Sequence, residues 1–292
     1  MTGSLATARS LRLRPLYLRE RWHAAWLVGQ RAIRSALLGL GFYATVSLAL
    51  LLASLLVRNN LEFAQENSLV VMIRPLYLPI FVSTVLLSLY LALSATLSVT
   101  RERDRGTLLL LFFGPMDEWA YLLGRLVGQT GLFTLAMLLA TAWALLFARL
   151  TNLAINPDLL LVLLFALLAN AGVVAFGLLM AAWGRTSRTA LVLFVLITLL
   201  VLAIQFGDQA ILQLAAKAQP NRRDPILFLR QLLAGLNWAI QWISPYVQLS
   251  QAMDALVVGN PLALAQRGVT LLLQAGLLFG AAVAVLKRSG VR

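Results

Sequence analysis

The chain has 292 residues, of which 61% are hydrophobic, and a mean hydropathy of +0.85; soluble domains hold about 45–50% apolar residues, so this is a membrane protein with no room for a large soluble domain. It carries a formal charge of +13 and no cysteine, which excludes disulfides and cysteine-based metal sites. Positive charge on a membrane chain sets topology and meets anionic lipid; nucleic acid is not expected as a partner, because no basic-aromatic module accompanies the charge.

Taken in chain order, residues 16–34 come first. Leu18, Trp22, Ala25, Trp26, Gly29 and Ile33 share one helical face, and Arg19, His23, Gln30, Arg31 and Arg34 share the other. The spacing predicts an amphipathic helix lying in the inner membrane interface. The apolar stretch behind it is too long for the core of a signal peptide and reads as an uncleaved span.

About 20 apolar residues are needed to cross a bilayer. Six stretches qualify: Ser35–Val57, Leu76–Val99, Leu126–Ala148, Leu159–Trp183, Thr189–Phe206 and Leu264–Leu286. The expected fold is an all-α integral membrane protein of six transmembrane helices, a single membrane domain over 1–292. Two thirds of the basic residues fall on the N-terminal segment, the 100–125 linker, the Gly184–Arg188 loop and the tail. The positive-inside rule therefore puts both termini in the cytoplasm and the nearly neutral Arg149–Asp158 loop outside. Trp119, Tyr121 and Trp183 then fall at the inner boundary, and Trp143, Trp238, Trp242 and Tyr246 at the outer one, where amphipathic rings belong.

The linker from Arg101 to Arg125 is the densest patch of charge in the chain, and such a patch belongs at a membrane face. Gly106 is placed to end the second span and Thr107 to cap the segment after it. Leu108–Phe113 is too short to cross, and Gly114-Pro115 breaks it. Asp117 is placed to cap the third span, with Glu118 in a first turn where the helix dipole favours acids. Two helix ends joined by a short connector ringed by charge can push rigidly against a partner.

Further along, Gln129, Asn170, Gln205 and Gln274 are amides within the spans. Gln129, Asn170 and Gln274 are candidates to line a path, although such residues more commonly hydrogen-bond between helices. Gly124-x-x-x-Gly128 and Gly276-x-x-x-Gly280 permit close helix approach and offer candidate dimer faces. Residues 207–261 form a long outer segment. Asp224-Pro225 is a helix start, Ile226, Leu229, Leu233, Leu236, Ile240 and Ile243 share a face, and Pro245 stops that helix. A second short helix is expected over Val247–Val258, before Gly259-Asn260-Pro261. These helices lie on, or dip into, the outer leaflet.

Several chemistries lack material. His23 is the single histidine, so neither a Ser-His site nor a His-rich metal site can form. No G-x-x-x-x-G-K-[ST] phosphate loop occurs. The chain is expected to be no enzyme and to need no cofactor, and energy for any transport must come from a partner. The spans hold no ionisable residue at mid-depth, which argues against an ion-coupled carrier.

The linker resembles that of the permease subunits of type-2, export-type ABC transporters, where a charged cluster, Gly-Thr, an apolar run, Pro, an acid and a small-basic pair come after the second span. Here these are Arg101-Glu102-Arg103, Gly106-Thr107, Leu108–Leu111, Pro115, Glu118 and Gly124-Arg125. The chain departs at Leu109, where many members have an acid, and at Arg125, where Lys is usual. The resemblance extends to an interfacial helix before the first span, an outer segment with Pro245 before the last, and Lys287-Arg288 in the tail. It implies that Arg101, Glu102, Arg103, Arg105, Gly106, Thr107, Pro115 and Glu118 dock on a separate ATP-hydrolysing subunit. It also implies two permease copies, or one and a paralogue, around a shared path through the plasma membrane. The alternative is a non-transport membrane assembly or scaffold protein, whose spans are packing elements and whose linker only fixes topology. An intramembrane enzyme is disfavoured by the missing histidines and buried acids.

Overall fold

A computed structural model describes residues 3–66, 76–108, 116–151, 157–184, 186–217, 235, 238 and 240–288. All regular structure among them is helical: α1 (Gly3–Leu37), α2 (Leu40–Glu66), α3 (Tyr77–Asp104), α4 (Glu118–Leu150), α5 (Leu159–Trp183), α6 (Ser187–Lys217), α7 (Pro245–Val258) and α8 (Pro261–Arg288). Six of these carry a stretch long and apolar enough to cross a bilayer, namely α2, α3, α4, α5, α6 and α8. The expected all-α, six-span architecture is therefore present. The Asp224-Pro225 helix start lies outside the described residues.

Two boundaries differ: α6 runs on to Lys217, into the segment expected to begin at Gly207, and the first span is displaced. The first span begins at Leu40, not Ser35. The Leu38 and Gly39 amides turn back to the carbonyls of Arg34 and Ala36, closing α1, so Ser35–Leu37 belong to the preceding helix. An apolar run that continues through a glycine hides such a corner from hydropathy.

α5 is the hub. It touches α3, α4, α6, α7 and α8, and 56% of its most apolar window is buried inside the chain, against 11% for α6 and 22% for α8. Glycine brings α3 close: an added Cβ on Gly177 would lie 2.6 Å from the Ala92 carbonyl oxygen, and Thr96 Oγ1 donates to the Gly177 carbonyl at 2.8 Å. With α5 surrounded, α6 and α8 are left to present their outer faces to lipid or to another chain.

α7 matches the expected second short helix. At 14 residues it is about 21 Å long and cannot cross. It buries Gln248, Leu249, Ala252, Met253, Ala255 and Leu256 against α5 and α8. Pro245 opens it, and Gly259, left-handed at φ 72°, closes it by donating to the Ala255 carbonyl. Asn260 Oδ1 then accepts the Ala263 amide, starting α8.

α3 and α4 are longer than a crossing requires. At 28 and 33 residues they measure about 42 and about 50 Å against a hydrocarbon core of about 30 Å. The surplus lies at the shared end that carries Arg101, Glu102, Arg103, Asp104, Asp117, Glu118 and Arg125, because hydrocarbon does not accept that charge. The two helices project there as a paired stalk, and α1 runs along it.

Candidate functional site

The stalk is built from local signals. α3 ends at Arg105, whose amide returns to Arg101 and Arg103, and Gly106 takes φ 71°. A side chain there would meet nothing within 4 Å among the described residues, and the positive φ alone calls for glycine. Thr107 Oγ1 donates back to the Glu102 carbonyl at 3.0 Å; the hydroxyl finishes α3. Leu108 is fully buried. Residues 109–115, including Leu109 and Pro115, lie outside the described residues. On the return side Asp117 is extended, and its Oδ1 accepts the Ala120 amide at 3.0 Å, which is the expected cap of α4.

Across the stalk, Glu102 is held from two sides. Arg125 of α4 forms an ion pair with its Oε1, and the Tyr121 hydroxyl donates to its Oε2 at 2.6 Å. The Arg125 guanidinium also sits 5.6 Å from the centroid of the Tyr121 ring. The Arg125 and Glu102 side chains are 8% and 19% exposed, and Tyr121 is fully buried. Tyr121 is thus a ligand of Glu102 inside the stalk, where the sequence suggested a boundary ring.

The neighbouring residues tie the stalk to other helices. Arg103 Nη1 donates to the Gly184 carbonyl at 2.7 Å, holding the end of α5. Asp104 accepts the Ser187 amide at 3.2 Å and its hydroxyl, supplying the start of α6 with an acid from another helix. Asp117 binds Arg21 of α1 with its second oxygen. Arg101, Arg105, Gly106 and Thr107 are exposed, and Glu118 is half-buried. Of the residues expected to meet a partner, Glu102 and Arg103 point into the molecule, and the exposed ones lie on one tip.

α1 packs on α4 through small residues. A Cβ on Gly124 would lie 2.4 Å from the Ala25 carbonyl oxygen, and one on Gly128 2.9 Å from that of Gly29. Trp22 and Trp119 meet edge to face at 6.0 Å. The sequence offered Gly124-x-x-x-Gly128 as a face for a second copy; its partner is α1 of the same chain. Trp26 and Leu27 remain more than half exposed, as does Trp22 despite its contact with Trp119, so α1 leaves much of its large apolar surface uncovered. Gly276 and Gly280 have nothing within 4 Å among the described residues.

The three candidate amides separate into two places. Gln129 is buried on α4 beside α1 and α3. Asn170 and Gln274 belong to α5 and α8, a long pairing in which alternating spans give both helices the same direction. An added Cβ on Gly268 would lie 3.5 Å from the Phe165 ring, which brings Gln274 level with Asn170 to within one turn. Among the described residues, both amide atoms of each are buried without a hydrogen-bond partner. One turn further along, Val173 and Leu278 enter the wall of an apolar cavity of about 120 Å³ that also includes Phe176, Phe194 and Tyr246. The Tyr246 and Ser88 hydroxyls bond at 2.7 Å beside it.

Arg125, Tyr121 and Asp104 are the residues that sequence reasoning left out of the site. The small-basic pair Gly124-Arg125 held the one usable signal, since an arginine at the start of a span needs an acid. A sequence profile described as ABC-2 family transporter protein matches residues 59–290, which spans the stalk and all helices from the end of α2 onward. No curated protein matches the chain.

Proposed function

For a chain that belongs to the ABC-2 family of transporters, we propose the role of membrane-spanning subunit in an ATP-driven exporter, working with a separate ATPase. It is a multi-pass membrane protein and a transport component, and the proposal adds the energy source, the direction and the docking site. The observation that carries it is the stalk. Two over-long helices are locked by a buried Glu102–Arg125–Tyr121 cluster and end in an exposed tip of Arg101, Arg105, Gly106 and Thr107.

In this reading the tip and Glu118, with the connector through Pro115, dock on the ATPase. Glu102 and Arg103 hold the stalk rigid and fasten it to α5. Movement at the tip passes to α1 through Arg21, to α5 through Gly184 and to α6 through Ser187. A second copy or a paralogue completes the path, and the open faces of α6 and α8 are where it sits. Both termini and the stalk are cytoplasmic, α1 rests at the inner interface of the plasma membrane, and substrate leaves outward. Asn170 and Gln274, above an apolar cavity, suit an apolar or amphipathic substrate, while Gln129 faces a different space nearer the stalk.

The test is affinity purification of the tagged chain from native membranes in mild detergent. An ATPase with a phosphate loop is expected to accompany it, and to be lost from the Arg105→Glu/Thr107→Arg variant, whose changed residues lie on the exposed tip. If a folded chain brings down no ATPase, the protein is a membrane scaffold instead.

A further inference from the structure

Beside the stalk lies a second, more polar space. A half-open cavity of about 330 Å³ sits between the end of α1, α3 and the start of α4, within the size range of small-molecule sites. Ser94, Ser98 and Arg101 line it from α3, with Tyr90 further in, and Arg125 and Gln129 line it from α4. Arg125 and Gln129 are 6% and 2% exposed. Among the described residues, Arg125 Nε and Gln129 Oε1 are both buried without a hydrogen-bond partner. Polar groups buried unpaired are unfavourable, so the cavity is matched to a guest that would pair them.

Charge identifies the guest. Among the described residues no acid lines the cavity, and Glu102, beside Arg101 in the chain, has its charge taken by Arg125 and its second oxygen by Tyr121. Arg101 is therefore an uncompensated cation at the cavity wall among the described residues, and the Ser94 hydroxyl is a further donor, those of Ser35 and Ser98 being given to the Ala32 and Ala95 carbonyls. One positive charge with a hydroxyl donor on the same wall suits a phosphate monoanion. The remaining walls say what the phosphate is attached to. Leu93, Leu97 and Ala36 are apolar, and Tyr90 stands three turns of α3 from Arg101, about 16 Å along the axis. Gly39 lines the cavity at the corner between α1 and α2, where Leu38 and Leu40 are 88% and 87% exposed. A charged end, an apolar length and a greasy corner fit an amphiphile and not a free ion.

We infer that this cavity binds the phosphate headgroup of an anionic phospholipid, with the phosphate between Arg101 and Arg125 and the ester region toward Gln129 and Tyr90. The Gln129 amide can turn either end toward the ester oxygens. Basic pockets between membrane helices hold lipid headgroups by the same electrostatics. The site borders the stalk and α1 together, so an occupant holds both. Only the leaflet depends on the orientation proposed above; binding does not depend on transport or on an ATPase.

Native mass spectrometry of the detergent-purified chain tests this, with phosphatidylglycerol, phosphatidylcholine and glycerol 3-phosphate as probes. Phosphatidylglycerol should bind about five-fold more tightly than phosphatidylcholine, as expected for one basic contact near the surface. Arg101→Gln should remove that preference and Arg101→Lys keep it. Ser94→Leu, which fills the cavity without touching charge, should remove binding of the retained lipid. Equal retention of both lipids by the unaltered chain would overturn the inference, as would undiminished phosphatidylglycerol binding in folded Ser94→Leu. Displacement of the lipid by equimolar glycerol 3-phosphate would reassign the site to a soluble phosphate. Should Arg101→Gln not fold, Ser94→Leu decides alone.

Discussion

Glu102 of α3 and Arg125 of α4 form a buried ion pair across the base of the linker, and Tyr121 completes it from the same face of α4. The pair joins the two helix ends that a partner would push on. Without it, the ends of α3 and α4 would be linked only through the connector and shared packing.

Removing Glu102 leaves Arg125 charged, buried and unpaired, and removing Arg125 leaves Glu102 with only the Tyr121 hydroxyl. Glu102→Leu and Arg125→Met should each lower stability by about 3 kcal/mol. The double change Glu102→Leu/Arg125→Met should recover most of that loss, because an apolar pair of similar volume replaces a buried ion pair at little cost. Thermal unfolding of the four proteins in detergent completes the cycle. Additive losses in the double variant would show that the two charges do not interact.

Gly106 takes a positive φ and has open space around it among the described residues. Gly106→Ala should cost about 1–2 kcal/mol through backbone strain alone. Gly106→Pro cannot adopt the conformation at all, since proline fixes φ near −65°. It should insert normally into membranes yet abolish substrate-stimulated hydrolysis in the complex with the ATPase. Normal stimulated hydrolysis would separate the α3 turn from coupling.

The contact of α1 with α4 leaves no room for a side chain at Gly124. Gly124→Leu should therefore detach α1 from the stalk. The chain has no cysteine, so Arg21→Cys/Asp117→Cys can be joined by a short thiol crosslinker with no background. Crosslinking should be efficient in that pair and drop sharply when Gly124→Leu is added.

Orientation is open to the same chemistry. Thr186→Cys and Pro157→Cys both lie at exposed positions on opposite sides of α5. An impermeant maleimide applied to intact cells should label Pro157→Cys and spare Thr186→Cys. The reverse pattern would place the stalk outside.

Asn170→Leu removes two buried amide atoms that have no partner among the described residues. It should leave thermal stability unchanged or raised, since an unpaired buried polar group is unfavourable. Transport should fall, if the amide faces substrate. A variant that loses stability instead would mark Asn170 as a packing element between α5 and α8.

The six spans, the Gly106 stop, the Asp117 cap and the α7 helix were legible because each is written within a few residues: an apolar length, a glycine, an acid before an acidic first turn, a proline and a glycine around one short helix. The corner at Gly39 was not, because leucines flank it on both sides and the hydropathy never dips. The Glu102–Arg125 pair was half visible. Both residues belong to the recognised linker, yet nothing in the string says that positions on two helices face each other. The Gly124-x-x-x-Gly128 pattern announced a close approach and withheld the partner. Two helices of one chain and two copies of one chain impose the same demand for small residues, and only the fold shows that α1 is the one that came.

Glycine at that contact also sets a mechanical ratio. α4 runs unbroken from Glu118 to Leu150, and α1 bears on it from Asp117 to Gly131, most closely at Gly124 and Gly128, where α4 itself projects no side chain. Taken as a fulcrum, that closest approach has one arm of about 12 Å toward the tip and one of about 36 Å toward the far end. Tilting a straight rod about that point multiplies motion roughly three-fold, so under the role proposed above a shift of about 1 Å at the tip would become about 3 Å at the other end of α4.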